Sequence, residues 1–345
     1  MRLPPRPVRR LLGVAILGLL LAAMLTLPLL ALVALVASPW LPGPMRGVRL
    51  LAFAVVVLLV ESTLLLAALA LWVASGFGYW VARPKFVRAH HTSLRIGLDV
   101  VVHAARWLFQ LDIRTDGRSW SPLDDGVPGS ENAMVVLSRH AGPGDSLLLL
   151  QTLMNRDHLR RPRVVMKDNL QLDPATDVYF NRLRSAFVRP GAGDEAEAQI
   201  AKLASNLGEE DALLIFPEGG NFTPRRRLRA IDSLRRGGHD ESAERAEAMQ
   251  HVLPPRPGGV AAALDAAPHA DVVFVAHTGL EHIVAFRDVW RAIPQDQTLS
   301  MQWWFWRADQ VPTGRDERIA WLFDRWGEID AWIASYPPSE SARRT

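Results

Sequence analysis

The chain has 345 residues, room for one large domain or two modest ones. It is 49% hydrophobic and 22% charged, and its net charge of +3 rests on arginine, because lysine occurs only at Lys85, Lys167 and Lys202. That mild basic excess fits an anionic partner such as a phospholipid headgroup or a coenzyme A phosphate. It is too weak for nucleic acid, for which no zinc-finger, helix-turn-helix or RNP pattern is present either. Cysteine is absent, which excludes disulfides, a thiolate nucleophile and Cys-ligated metals.

The apolar residues are concentrated near the start. Leu11 to Ala37 carries no charge and is almost entirely apolar, and about 20 such residues cross a bilayer core as a helix. A signal-peptide core would be shorter, and no small-residue cleavage site follows. Pro28 predicts a kink. A second run, Leu50 to Ser75, is broken only by Glu61-Ser62-Thr63. Its roughly fifteen large apolar side chains outweigh the ~3 kcal/mol cost of one central charge. Glu61 is read as protonated, as facing the first helix, or as lying near an interface. Pro39, Pro42, Gly43 and Pro44 make the linker a tight turn. Residues 1–83 are therefore expected to form a two-helix membrane hairpin. Arg2, Arg6, Arg9 and Arg10 precede it, Arg83, Lys85 and Arg88 follow it, and the linker holds only Arg46 and Arg49. This bias places both ends, and the domain that follows the hairpin with them, on the cytoplasmic side of the cell membrane. The hairpin either spans the bilayer or dips into one leaflet.

Residues 84–345 form the second unit. Phe86–Phe109 reads as an amphipathic helix, with Ile96, Leu98, Val101, Ala104 and Leu108 on one side, suited to a membrane surface. A polar loop follows at Gly117–Glu131. Strands are predicted at Leu111–Thr115, Ala133–Ser138, Arg163–Lys167, Ala186–Val188, Ala212–Phe216, Asp271–Ala276 and Leu299–Arg307. Helices are predicted at Asp145–Met154, Ala175–Arg184, Asp194–Leu207, as one long Arg-rich helix around Pro224–Met249, at Gly259–Ala266 and at Arg315–Ala334. Such alternation implies an α/β fold, a sheet flanked by helices.

The chemistry is concentrated in two strand ends. Met134-Val-Val-Leu-Ser-Arg-His140-Ala-Gly-Pro-Gly-Asp145 ends a strand, turns through Gly142-Pro143-Gly144 and opens a helix. The turn lets the Asp145 carboxylate reach the His140 ring, fixing one tautomer and leaving the other nitrogen as a base. This is two-thirds of a serine-hydrolase triad, with a substrate hydroxyl in place of the serine. Equally, Asp145 is an N-cap and His140 a loop residue. The second end is Phe216-Pro217-Glu218-Gly219-Gly220-Asn221, a Gly-containing turn that can present backbone N–H groups to a substrate. Trp303, Trp304 and Trp306 read as core or membrane-contact residues. His90, His91, His277 and His282 lack metal-ligand spacing and read as structural or exposed.

In this order and spacing, the segments resemble the 1-acylglycerol-3-phosphate acyltransferase family, the glycerophospholipid acyltransferases with a His-x4-Asp motif. His140 and Asp145 match its catalytic pair. Phe187-Val188-Arg189 matches its second block, whose Arg contacts acceptor phosphate. Phe216-Pro217-Glu218-Gly219 matches its third block, and Val273-Phe274-Val275 falls where its apolar fourth block lies. Residues 252–259 and 321–330 look like the branch that includes lysocardiolipin acyltransferases. Two positions depart from the pattern. Arg139 stands where Asn usually precedes the catalytic His, and Gly220-Asn221 replaces the usual Thr-Arg or Ser-Arg of the third block. Asn cannot grip phosphate as a guanidinium fork does. Arg225, Arg226 and Arg227 either restore that charge from the next turn or form a basic helix face.

The resemblance implies a glycerolipid acyltransferase-type sheet and a membrane-bound enzyme. It implies transfer of a fatty acyl group from acyl-CoA, or from an acyl-carrier protein, to a lysophospholipid hydroxyl, with 1-acylglycerol-3-phosphate the first choice. His140 would be the general base, oriented by Asp145. Arg189, then Lys167, would hold phosphate; Glu218, Gly219, Gly220 and Asn221 would line the acceptor site. No cofactor or metal is expected beyond the acyl donor as co-substrate. Two alternatives stand beside this reading: the same chemistry on another lysophospholipid or a glycolipid, and a non-catalytic protein that binds lipid or acyl-CoA.

Overall fold

Alternation along the central strands sorts their side chains onto two faces, and both faces are buried. The computed structural model describes residues 3–40, 45–116, 132–140, 144–155, 160–189, 191–279 and 297–336. Among them, β1 (Leu111–Asp116), β2 (Met134–Ser138), β3 (Arg161–Lys167), β4 (Ala186–Val188), β5 (Asp211–Ile215), β6 (Asp271–Thr278) and β7 (Gln297–Trp306) form one sheet in the order β1-β7-β6-β2-β5-β3-β4. The β6–β7 pair is antiparallel and every other pair is parallel, so the sheet is mixed. These ranges lie within two residues of the predicted strands. The expected polar loop 117–131, most of the turn after His140, and His282 fall outside the described residues.

On one face, Val135, Leu137, Leu213, Ile215, Val272 and Phe274 pack under α6 (Asp194–Ala204), α7 (Pro224–Arg236), α8 (Asp240–Ala248), α9 (Pro257–Ala266) and α10 (Arg315–Ala334). On the other, Met134, Val136, Ala212, Leu214, Val273 and Val275 pack under α3 (Pro84–Phe109), α4 (Asp145–Met154) and α5 (Pro174–Arg182). Near-continuous apolar strands between two helical layers are what a largely parallel sheet requires. The predicted Arg-rich helix is two helices, α7 and α8. Gly238 adopts φ +73°, and the His239 N–H reaches back to the Leu234 carbonyl, a glycine-based C-terminal cap. The tryptophans belong to the core: Trp304 stands edge-on to Trp332, and Trp306 to Trp321.

The two apolar helices are α1 (Arg6–Ala37) and α2 (Arg46–Ala74), each long and apolar enough to cross a membrane. The helix continues through Pro28. Along α1, leucines and valines from Leu11 to Val36 stay exposed. One side of α2, in contrast, is held by the α/β unit along its length. Arg49 Nη1 donates to the Leu108 carbonyl at 2.6 Å, Phe53 stacks on Phe109, and Gly97 of α3 approaches Val60 and Leu64 so closely that a Cβ would lie 3.1 Å from Val60. Tyr179 and Arg182 of α5 donate to the carbonyls of Leu64 and Ala68. Of the three expected roles of Glu61 the protonated one is favoured, because burial and the nearby charge of Asp173 push its pKa up to about 7. The Glu61 carboxyl accepts the Ala175 N–H at 2.9 Å, at the N-terminus of α5, where an acidic group is favoured. The amphipathic helix α3 turns one face inward, with Leu94, Leu98 and Leu108 buried, while Ile96, Val100 and Trp107 on its other side stay exposed.

The start of α1 is fastened by a buried ion pair. Arg9 donates through Nε and Nη2 to both Asp177 oxygens, at 3.2 and 2.9 Å, and to Gln171. Both side chains are about nine-tenths buried or more, at 7% and 10% exposure. Removing one partner of such a pair strands the other charge, at a cost of about 3–5 kcal/mol. Arg9→Met should therefore lower the melting temperature in detergent clearly, and Asp177→Asn added to it should recover part of the loss. Equal melting of the single and double variants would show that the pair is not coupled.

Candidate active site

The C-terminal ends of β2 and β5 are adjacent, and each runs into one of the two segments singled out from the sequence. Immediately after β2 comes Arg139, 1% exposed. Its N–H donates to the Val275 carbonyl at 3.1 Å, Nη1 to the His277 carbonyl at 2.6 Å, and Nη2 to the His251 carbonyl at 3.0 Å. The Arg139 carbonyl accepts from His277 Nε2 at 3.0 Å, which requires the Nε2–H tautomer. The residue that departs from the family pattern is thus a structural tie between β2, β6 and the loop at residues 249–256. His277 is structural as well.

This tie fixes the backbone at His140, which is half-buried. The His140 carbonyl accepts the Phe222 N–H at 3.1 Å, and its ring lies 4.9 Å from the Phe216 ring. His140 is therefore held against the turn that follows β5. Asp145 is the first residue of α4, behind Gly144 at φ +103°. Its side chain lies outside the described residues, and the expected pairing with His140 falls there too.

In the facing turn, Glu218 is buried. Gly219 has φ +66°, and its N–H closes the turn onto the Phe216 carbonyl at 3.0 Å, so that N–H is already engaged. A Cβ on Gly219 would lie 3.0 Å from the Arg256 guanidinium carbon. A Cβ on Gly220 would lie 3.4 Å from Arg226 Nη1 and 3.7 Å from Lys167 Nζ. The Arg256 N–H donates to the Pro217 carbonyl, and Arg226 Nη1 to the Asn221 carbonyl, each at 3.0 Å. Thr223 caps α7 and so aims Arg226 at the turn. Three cations, Lys167, Arg226 and Arg256, thus converge on two glycines. Among the described residues none of the three makes an ion pair with a carboxylate. Burial first, and then the charges of Arg226 and Arg256, push the Lys167 ammonium below its usual pKa. An anion at the turn would relieve that repulsion.

Of the residues expected to bind substrate, Lys167, Gly219, Gly220 and Asn221 come together here, with Glu218 inside the turn. Arg189 follows β4 at the level of Lys167, but its side chain is 72% exposed and reaches Glu195 at 3.7 Å. Of the three arginines at 225–227, Arg226 supplies charge to the turn, whereas Arg227 donates to the carbonyls of Met249 and Glu247. Arg256 was legible as part of a Pro-Pro-Arg-Pro segment, but its place over Gly219 was not.

Residues 122–278 match the family model for Acyltransferase. The match runs from ahead of β2 to the last residue of β6 and contains His140, Lys167, Glu218, Arg226 and Arg256. The chain therefore carries an acyltransferase domain, and its enzyme class is acyltransferase; the match covers somewhat under half of the chain. No curated protein matches the chain. Among solved structures, the crystal structure of the 1-acyl-sn-glycerophosphate acyltransferase PlsC from Thermotoga maritima is similar, with 14% identity over 82% of this chain and 98% of that one, and a TM-score of 0.49. At that identity and score the likeness assigns no activity to the present chain.

Arg139→Met should leave the carbonyls of His277 and His251 without their buried donors, at about 1–3 kcal/mol for each. Thermal melting in detergent should fall accordingly, and turnover should fall with it because His140 loses its anchored backbone. Wild-type melting would show that the guanidinium is dispensable.

Proposed function

We propose that this protein moves a fatty acyl group from an acyl thioester to a hydroxyl of a phosphate-bearing lysophospholipid, with 1-acylglycerol-3-phosphate the first choice of acceptor. The observation that carries the reading is the convergence of Lys167, Arg226 and Arg256 on the Gly219-Gly220 turn, against which His140 is held. A phosphate dianion at the turn places the acceptor's glycerol within reach of His140. As the acceptor oxygen bonds to the thioester carbonyl carbon, His140 takes the hydroxyl proton. Collapse of the intermediate breaks the carbon–sulfur bond, and His140 returns the proton to the leaving thiolate. Asp145, at the start of α4, orients the imidazole and stabilises its cation. With the Gly219 N–H engaged, Gly220 is the backbone candidate for the oxyanion. The reaction calls for no metal or cofactor, and acyl-CoA and an acyl-carrier protein both qualify as donor.

Arg226 supports the phosphate-bearing acceptor in particular. It brings a guanidinium to the place where Asn221 lacks one, so the departure from the family pattern moves the charge along the chain without removing it.

Mass spectrometry of products from a mixed lysolipid pool with acyl-CoA tests the reading. Wild type should form diacyl products from phosphate-bearing acceptors, and His140→Ala should lower turnover by roughly 10²–10⁴-fold. Absence of any acyl product would instead favour a lipid-binding protein without catalysis. Arg226→Ala and Arg256→Ala should each raise the acceptor KM about ten- to a hundredfold, because a charged hydrogen bond contributes roughly 1.5–3 kcal/mol. Arg189→Ala should change it less; the reverse ranking would move the phosphate site to β4.

The hairpin holds this site at a membrane. Because one side of α2 is covered by α3 and α5, the hairpin lies in the leaflet nearest the domain and does not cross. The domain is on the cytoplasmic side, as the arginine distribution indicates. The cysteine-free sequence allows a direct check: a single cysteine at Trp40→Cys should resist membrane-impermeant thiol reagents applied from either side. Labelling from the outer side would show that the hairpin spans.

A further inference from the structure

Away from the catalytic turn, a cavity of about 620 Å³ opens between the start of α1, the end of α2, the turn at residues 75–83 and α5. Lys167 ends β3, ahead of α5, whereas this cavity is lined by residues 177, 178, 181 and 182 toward the far end of α5. The two places are therefore separate.

Its walls are of two kinds. Leu69, Trp72 and Phe77 form an apolar side, and Arg6, Arg10 and Arg182 form a basic one. The apolar side is built by the turn itself. Gly78 has φ +92°, and a Cβ there would lie 2.6 Å from the Trp72 indole nitrogen, so only glycine lets that ring lie across the turn. On the basic side, the one acidic lining residue, Asp177, is already engaged by Arg9. Arg6 and Arg10 make no ion pair with a carboxylate among the described residues. Arg182 meets His90 Nε2 at 2.8 Å. Burial is the main cause that lowers the His90 pKa, so its ring is neutral and accepts from Arg182 without offsetting the charge. Four arginines thus face one carboxylate, an excess of three positive charges beside an apolar wall.

The surroundings set the depth of this cavity relative to a bilayer. Phe77, Tyr79 and Trp80 are exposed at its rim, at 70%, 83% and 42%, and Arg83 lies over the Trp80 ring at 4.8 Å. Exposed tryptophan and tyrosine beside arginine mark the headgroup level of a membrane. A basic wall there meets lipid phosphate, and an apolar wall beside it meets the upper acyl chain.

We propose that this cavity is a second, non-catalytic site that binds one anionic phospholipid of the membrane, with its phosphate on Arg6, Arg10 and Arg182 and its chain along Leu69, Trp72 and Phe77. The proposal rests on the membrane placement of the hairpin under the proposed function, but not on acyl transfer. A lipid there would join α1, α2 and α5, so anionic membranes would steady the hairpin on the domain.

The test uses the full chain in detergent. Native mass spectrometry and thermal melting are followed with added phosphatidylglycerol, phosphatidylcholine or inorganic phosphate, with acyl transfer and flotation on phosphatidylcholine vesicles measured on the same samples. Wild type should retain phosphatidylglycerol and melt higher with it, and should respond little to the other two. The R6Q/R10Q variant should bind phosphatidylglycerol about twenty- to thirtyfold more weakly, each surface arginine contributing roughly a factor of five, while still floating and turning over. Leu69→Trp, which fills the apolar side and leaves the charge alone, should weaken it as well. Equal binding of the two lipids by wild type would overturn the proposal. So would an equal response to inorganic phosphate, which would make the site one for a free anion. Full binding by Leu69→Trp would do the same, since it would leave only surface attraction. Loss of flotation by wild type would refute the membrane placement, whereas unchanged acyl transfer in any of these outcomes leaves the catalytic reading standing.

Discussion

Everything in this molecule follows from a sheet whose central strands cannot face water. All five residues of β2 are buried, and its neighbours β5 and β6 are nearly as apolar, so each face needs a helical cover. The cover on one side is ordinary for an α/β domain. On the other side the layer of α3, α4 and α5 is continued outward by α2, and Leu64 and Ala68 of α2 belong to the same core cluster as Met134 and Val136. The hairpin is therefore not an anchor tied on by a flexible tether. Its second helix is part of the domain, and its first carries the exposed leucines. Polar function is left to the strand ends, where β2 and β5 release His140 and the Glu218-Gly219-Gly220 turn.

Arginine does two different jobs, and its surroundings decide which. Arg139, Arg160 and Arg163 are buried and spend their planar forks on backbone carbonyls or a carboxylate. Arg9 does the same for Asp177. Several donors in one fixed plane suit this role, which a lysine ammonium fills poorly. Arg226 and Arg256 are exposed, lack carboxylate partners among the described residues, and are aimed by the N-cap of α7 and by the Pro217 carbonyl. Their charge is thus available to a ligand. The charge composition of the chain is one number, but it divides into a structural set and a ligand-directed set.

The helix α5 connects the hairpin to the end of the sheet that carries the candidate site. Its N-terminus donates to the Glu61 carboxyl, its middle holds Arg9, and its far end reaches α2 through Arg182. It begins just after the turn that follows Lys167. A disturbance of the hairpin thus has a short covalent and hydrogen-bonded route to one of the three cations at the Gly219-Gly220 turn. The half-buried Glu61 illustrates the same coupling: an acidic residue within an apolar helix finds its partner at a helix N-terminus.

The sequence by itself determined the strands, most helix limits, the two apolar helices and the two strand ends that carry His140 and Glu218. These are read from local periodicity and from glycine and proline punctuation, which act over a few residues. The break between α7 and α8 was local too, written in Gly237-Gly238. The tertiary structure alone decided that one face of α3 packs on α2 and the sheet, since an apolar stripe reads the same whether a bilayer or α2 covers it. It also decided which arginines converge. Lys167, Arg226 and Arg256 are 59 and 30 residues apart along the chain, and only the packing of β3, β5 and α7 brings their charges to one turn. Asn221 looked like a lost phosphate ligand because the sequence shows the residue at a position and not the space around it. Arg226 fills that space from the next helix, and long-range placement of this kind has no periodic signature to read.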